Sequence, residues 1–318
     1  MKWFAGAFIF LAALGVNAQD YPSKPIRILV PFAPGGAVDT STRILTQKMQ
    51  ERLQWNFVVE NRPGGNGFIA TTAVKSAAPD GYTLLMAHTG EFAVNPALFS
   101  NVPYELERDF VPITMVSDAP MLYLAKSAAS FNTFQELVAA AKAKPGGVTF
   151  SSPGNGSINH LAAEWLAHAA GVKLQHIPYK GGAPAAAAVA SGDVDFGVMA
   201  VPGATPHMKS GRGKVIGITT QRKSPLNAQW ATPKEAGLDV DASIWVGLFA
   251  PKGTPQPIVD KLNAEVRKSL ADPDLQRRYV ESGGAEAVGM SSNDFLARIK
   301  NDAERYGRVV KAAGVKPE

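Results

Sequence analysis

The sequence predicts an α/β protein of two lobes in a type II-like arrangement. Mainly parallel sheets are flanked by helices, and two strand crossovers form a hinge. Three observations carry this expectation. Short apolar, β-branched runs such as Ile26–Val30 and Thr83–Ala87 alternate with stretches of helical period. Two of these runs, far apart in the chain, end in Gly-Gly elbows at Gly35-Gly36 and Gly181-Gly182. No repeat, heptad seam or Gly/Ser-rich tether separates one part of the chain from another. Crossovers near Met121–Tyr123 and Ile244–Val246 would therefore join the lobes. One lobe would comprise residues 19–122 and 246–318, the other residues 123–245.

The first 18 residues are set aside from the fold. Lys2 is a positive leader, Phe4 to Val16 is an apolar run too short to span a bilayer, and Val16-Asn17-Ala18 reads as a small-residue cleavage site. Export to the periplasm follows. The chain has no Cys, which excludes disulfides, thiolate nucleophiles, Cys-based metal sites and a lipidated N-terminus.

The elements follow in order. Ile26–Val30 is a strand, and Val38–Leu53 is a helix with Ile44, Leu45, Met49 and Leu53 at helical spacing. Asn56–Glu60 is a strand that leads through Pro63-Gly64-Gly65-Asn66-Gly67 into a helix ending near Ala78. Thr83–Ala87 is a strand, and another begins at Leu122–Ala125. Phe134–Ala143 is a helix, Val148–Ser151 a strand, and Ser157–Ala170 a helix capped by Gly171. Leu174–Pro178 is a strand before the second elbow and the Ala-rich helix Pro184–Ser191. Val194–Met199 and Val215–Thr219 are strands. The tail is helical over Pro257–Leu270, Pro273–Ser282 and Ser292–Ala313, with Ser292 and Asp294 as caps of the last helix.

Each elbow turns a strand into the start of a helix, where backbone N–H groups lack intrahelical acceptors and the helix dipole is positive. Two such ends suit a small anion gripped between lobes. Asp39, in the first turn of the first helix, reads as a cap, as an organiser of the loop, or as both. Gly65-x-Gly67-x-x-Ala70 matches a weak dinucleotide fingerprint, but the next strand offers no acid at the ribose position, so a tight loop-to-helix packing is the better reading.

Ser157 and His160 raise the question of a nucleophile and base. The flanking positions that an elbow nucleophile needs as glycine hold Asn155 and Asn159, which favours a capping serine. An exported hydrolase remains an alternative function. The five histidines lack metal-like spacing, so no metal and no cofactor is expected. Of Asp193 and Asp195, one reads as a turn acid and one as an acid facing the cleft. His88-Thr89-Gly90-Glu91 follows a strand at its carboxyl end and reads either as a ligand-tuning segment or as a solvated loop. Trp245 reads as core or as cleft wall.

The formal charge of +5 is mild and scattered, with no basic stripe for nucleic acid. An apolar content of 46% suffices for a substantial core in each lobe, and the chain is expected to be monomeric.

Several ordered blocks carry a resemblance. They are Tyr21-Pro22-Ser23-Lys24-Pro25-Ile26, Val30-Pro31-Phe32-Ala33-Pro34-Gly35-Gly36 with Asp39, Val59-Glu60-Asn61-Arg62-Pro63-Gly64, and Pro79-Asp80-Gly81-Tyr82-Thr83-Leu84-Leu85. Asn95-Pro96, Asp109-Phe110, His176-Ile177-Pro178-Tyr179-Lys180-Gly181, Trp245-Val246-Gly247-Leu248 and Ala250-Pro251-Lys252-Gly253-Thr254-Pro255 follow. Over nearly the whole chain after the leader, the sequence resembles the Bug family of periplasmic solute receptors, the binding components of tripartite tricarboxylate transporters. The resemblance implies a receptor without enzymatic activity that closes on a small organic carboxylate and delivers it to membrane transporter subunits. A receptor that reports to a signalling partner is the other non-enzymatic alternative.

It also implies a site. The ligand carboxylate would lie between one loop carrying Phe32, Pro34, Gly35, Gly36 and Asp39 and another carrying Tyr179, Lys180, Gly181 and Ala183, partly through water. Thr89, Gly90, Glu91, Ser152, Asn155, Gly156, Ser157, His160, Asp195 and Ala200 would shape the far end. The chain departs from its resemblance at Ala185 to Ala188, where relatives usually carry an acid.

Overall fold

The structure is a computed structural model that describes residues 21–316; the leader expected over residues 1–18 lies outside the described residues. The chain opens with β1 (Ile26–Val30), α1 (Ala37–Leu53), β2 (Phe57–Asn61), α2 (Phe68–Lys75) and β3 (Thr83–His88). β1 pairs in parallel with both β2 and β3, as two successive βα units require. Two short helices, α3 (Asn95–Leu98) and α4 (Leu106–Asp109), then lead into β4 (Phe110–Lys126).

The middle of the chain repeats the scheme with α5 (Phe134–Ala143), β5 (Thr149–Ser152), α6 (Ile158–Ala170), β6 (Gln175–Pro178), α7 (Gly182–Ser191), β7 (Phe196–Ala200), α8 (Val201–Lys209) and β8 (Gly213–Ile218). The last part supplies β9 (Ser243–Pro251), α9 (Gln256–Leu270), α10 (Pro273–Gly283), β10 (Glu286–Ala287) and α11 (Ser292–Ala313).

The ten strands of the described residues belong to one mixed sheet of order β2-β1-β3-β9-β4-β7-β5-β6, with β8 and β10 also on β4. The flanks β2-β1-β3 and β7-β5-β6 are parallel, while the central β9 and β4 pair antiparallel to their neighbours. β4 runs beside β9 through Pro120 and beside β7 and β8 from Met121 onward, so this one strand belongs to both halves.

The sequence reading found only the second part of β4. Pro112 and Pro120 argue against a strand interior because they cannot donate to a ladder. The structure absorbs Pro112 in an irregular register with β9 and has Pro120 where β4 changes partners.

Apolar faces of the flanking helices cover the sheet. α1, α9 and α10 pack on β1, β3 and β9 around Ile28, Leu45, Leu84, Leu262 and Tyr279. A second cluster runs from Phe92, Phe110 and Phe249 to Tyr123, Phe150 and Phe196 and so passes through both halves. The α11 cap is Ser291, whose side chain accepts the Asp294 amide, one residue before the expected Ser292. Adjacent serines are interchangeable in the pattern, and Ser292 Oγ donates instead to the Pro112 carbonyl.

Candidate functional site

The first elbow leaves β1 at its carboxyl end and enters α1 with Gly36 as an N-cap that offers no side chain. Residues 33–37 are exposed, and the first turn of α1 leaves its N–H groups without intrahelical acceptors. Asp39 lies behind the loop, almost fully buried. Its carboxylate accepts the Gly35 amide at 2.9 Å, Arg43 Nε at 3.0 Å and Asn61 Nδ2 at 2.9 Å, and Asn61 also donates to the Phe32 carbonyl at 3.0 Å. Burial pushes Asp39 upward, but hydrogen bonds from Arg43, Gly35 and Asn61 together hold it below the usual carboxylate range. Asp39 is thus the anchor of the elbow.

The second elbow follows β6. The Tyr179 amide donates to the Ser152 carbonyl and the Gly181 amide to the Pro153 carbonyl, both at 3.0 Å. Gly181 has φ +113°, a value glycine alone adopts readily, and caps α7 without a side chain. As at α1, the first N–H groups of α7 have no intrahelical partner. Lys180, Gly182 and Ala183 are exposed, and Tyr179 and Gly181 are half-buried.

Between the halves lies a cleft of about 270 Å³. Phe32, His88, Gly90, Glu91, Val94, Leu98 and Phe99 form one wall, and Pro153 to Asn159 form the other. Of the expected residues, the cleft lining unites Phe32, Gly90, Glu91, Asn155, Gly156 and Ser157. Phe32 extends the first elbow into it, and Pro153 ties it to the second through Gly181. Pro34, Gly35, Gly36, Tyr179, Lys180, Gly181 and Ala183 stay on the elbows. Ala200 ends β7, half-buried. Thr89 is buried beneath, where its hydroxyl donates to the Ser243 carbonyl and accepts the Trp245 amide.

One expectation is corrected. Asp195 does not face the cleft: it precedes β7, at the opposite end of the strand from the ligand-bearing edge. Its carboxylate accepts the Thr149 amide at 2.9 Å and pairs with Lys126 Nζ at 2.8 Å. Trp245 is core, with its indole N–H donating to Asp302 at 2.9 Å.

Ser157 and His160 do not form a nucleophile and base. Ser157 Oγ caps α6 by accepting the His160 backbone amide at 3.2 Å, and the ring Nδ1 of His160 accepts the Gly156 amide at 3.0 Å. Ser152 Oγ lies 2.7 Å from His176 Nε2 and donates to the Gly154 carbonyl, which fixes the loop over β5.

Sequence reasoning missed Asn66, Val94, Asn95, Leu98 and Phe99 in the cleft, and named His88 only within a segment that it read either as ligand-tuning or as a solvated loop. The segment Gly90–Val94 winds as a π-helical turn that runs into α3, and this brings side chains after Glu91 to the wall. The only signal for it was the position of His88 at the carboxyl end of β3. Gly67 also has a reason: a Cβ there would lie 2.4 Å from Glu91 Oε1. That close packing replaces the nucleotide reading of the glycine cluster.

Comparison with known proteins gives a consistent result. Residues 41–315 match the tripartite tricarboxylate transporter family receptor, TctC. BugT of Bordetella pertussis is 32% identical over 314 residues, covering 97% of this chain and 96% of that protein. The R. palustris protein Rpa4515, solved with adipate, superposes with a TM-score of 0.84 at 29% identity, covering 94% of this chain and all of the other. MatC from Rhodopseudomonas palustris, solved with bound malate, gives 0.77 at 31% identity, covering 91% and 100%. The sheet flanked by helices, the cleft between its halves and this similarity along nearly the whole described chain agree: the protein belongs to the tripartite tricarboxylate transporter receptor family and is a solute-binding receptor, not an enzyme.

Proposed function

We propose that this chain is an exported, monomeric receptor that captures a small organic carboxylate in the interlobe cleft and delivers it to membrane subunits of a tripartite tricarboxylate transporter. One observation carries the reading: the elbows that open α1 and α7, two helices without side-chain caps, reach the same cleft through Phe32 and through Pro153, and among the described residues no Lys or Arg lines it. Backbone N–H groups and helix dipoles are then the carboxylate's ligands, from Ala37 and Val38 in the first turn of α1 on one side and from Gly182 and Ala183 at the start of α7 on the other, with Gly35, Gly36 and Gly181 shaping the two elbows. Binding begins on one lobe. Closure about β4 and the segment leading into β9 lets the second elbow satisfy the remaining carboxylate oxygens. The closed surface is what the transporter recognises. Residues 1–18 direct the chain to the periplasm. The carboxylates named for the two R. palustris neighbours support the ligand class.

The test is a thermal-shift and calorimetric screen of the chain from residue 19 against small carboxylates and their neutral amides. A tight ligand in hundredfold excess over Kd adds about 2.7 kcal/mol of apparent stability. An acid that raises Tm by several degrees while its amide does nothing upholds the reading. Equal shifts with acid and amide, or none with any acid, overturn it.

A further inference from the structure

The charge of the cleft is one-sided. Among the described residues lining it, His88 and Glu91 are the only titratable side chains. Glu91 is fully buried. Its Oε2 accepts the His88 amide at 2.8 Å and lies 2.7 Å from His88 Nδ1. Its Oε1 has no hydrogen-bond partner and packs beneath Gly67. No Lys or Arg joins this pair among the described lining residues, so no side chain there offers a fixed positive charge to a ligand.

Amide donors at this end are also committed. Asn95 Nδ2 donates to the Asn66 carbonyl and the Tyr104 hydroxyl, Asn155 Nδ2 to the Lys316 carbonyl, and Asn159 Nδ2 to the Val198 carbonyl. That leaves the exposed Asn66. The remaining wall combines the apolar side chains Val94, Leu98, Phe99 and Ile158 with the loop from Pro153 to Ser157, where the start of α6 is already capped by Ser157 Oγ. A carboxylate placed there would be desolvated beside the buried Glu91 side chain, with no Lys or Arg among the described lining residues to offset it, and both effects oppose ionised binding.

We infer that Glu91 makes the cleft select a singly charged carboxylate with an apolar body over a dicarboxylate of the same length. The inference rests on the carboxylate reading above and gives it a substrate class. One charged end is held at the elbows, and the other end of the ligand is a hydrocarbon tail or ring against Leu98, Phe99 and Ile158. Adipate and malate, the ligands named for two structural neighbours, each carry two carboxylates, so the selectivity distinguishes this chain from those proteins.

The experiment is isothermal titration of the chain from residue 19 with matched pairs of mono- and diacids of four to eight carbons: butyrate and succinate, hexanoate and adipate, octanoate and suberate. In every pair that binds, the monoacid is expected to bind at least tenfold more tightly. Glu91→Gln, which removes the buried charge at nearly constant volume, should shrink that ratio at least tenfold. Phe99→Lys, which adds a cation to the wall without altering Glu91, should shrink it as well and serves if Glu91→Gln does not fold. A diacid that binds the wild-type chain as tightly as its monoacid partner, or variants that leave the ratio unchanged, overturns the inference while the carboxylate reading stands. A panel silent for both members of every pair overturns the two together.

Discussion

The ring of His160 lies flat on the ring of His176, with centroids 3.7 Å apart and planes 11° from parallel. Phe150 packs on His176 at 4.8 Å and lies 6.0 Å from His160. The stack joins α6 to β6 behind the loop that forms one wall of the cleft, so the charge state of His176 bears on that wall.

Burial, followed by repulsion from His160, pushes the His176 imidazole down to about 3. In the unfolded chain it titrates near 6.5, so between these values the unfolded state binds the extra proton. The stability contributed by neutral His176 is complete above pH 6.5 and declines as pH falls toward 3. His176→Gln should therefore flatten the fall of Tm between pH 6.5 and 4 relative to wild type, as read by calorimetry. Parallel curves would show that the histidine is not a source of acid sensitivity.

Asp39 predicts the opposite partner of a stability profile. Because its folded value is depressed, its contribution is present at neutral pH and is lost as pH falls through the folded value below 3.8. Asp39→Ala leaves the Gly35 amide, Arg43 and Asn61 without their shared acceptor. The expected cost in urea unfolding at pH 7 is about 1–3 kcal/mol, with weaker ligand binding because the elbow loses its anchor.

Gly36 separates binding from stability. Its φ is ordinary, and the only atom near an added Cβ is the Ala33 carbonyl oxygen at 3.5 Å. Gly36→Val should leave the ligand-free Tm nearly unchanged, while its branched side chain blocks the approach of a carboxylate to the start of α1. A loss of affinity above tenfold, about 1.4 kcal/mol, is expected by calorimetry. Unaltered affinity would remove the first elbow from the site.

Trp245→Phe tests the core at the start of β9. The variant keeps most of the volume but removes the indole donor to buried Asp302, which retains Arg298 as a partner at 2.8 Å. A loss of about 1–2 kcal/mol is expected in denaturant unfolding, with the fold intact by circular dichroism.

Much of this molecule is written in local chemistry. Helices α5 and α6 carry their own stop and start signals, Thr133 and Ser157 at the caps and Gly171 at the end of α6, so their bounds are legible within a residue. The elbows are legible because Gly-Gly after a β-branched run has few other uses. β4 is not, because its prolines are tolerated only through register shifts that depend on β9, far along the chain. The His88–Glu91 wall was half-visible: Glu91 could be named, whereas the π-helical turn that carries Val94 and Leu98 to the cleft depends on packing against α11. Asp195 was misplaced although its position before a parallel strand put it at the end away from ligands.

The place of β9 between β3 and β4 has a consequence for how the chain acquires its structure. Leu85 pairs with Phe249 and His88 with Val246, so the edge of the amino-terminal βα units stays bare until a late segment of polypeptide arrives to fill it. Order of synthesis and order of folding are therefore decoupled, and long loop closures must precede the central pairings that reward them. A polypeptide truncated before β9 would present β3 as an unsatisfied template, open to strand addition by another copy.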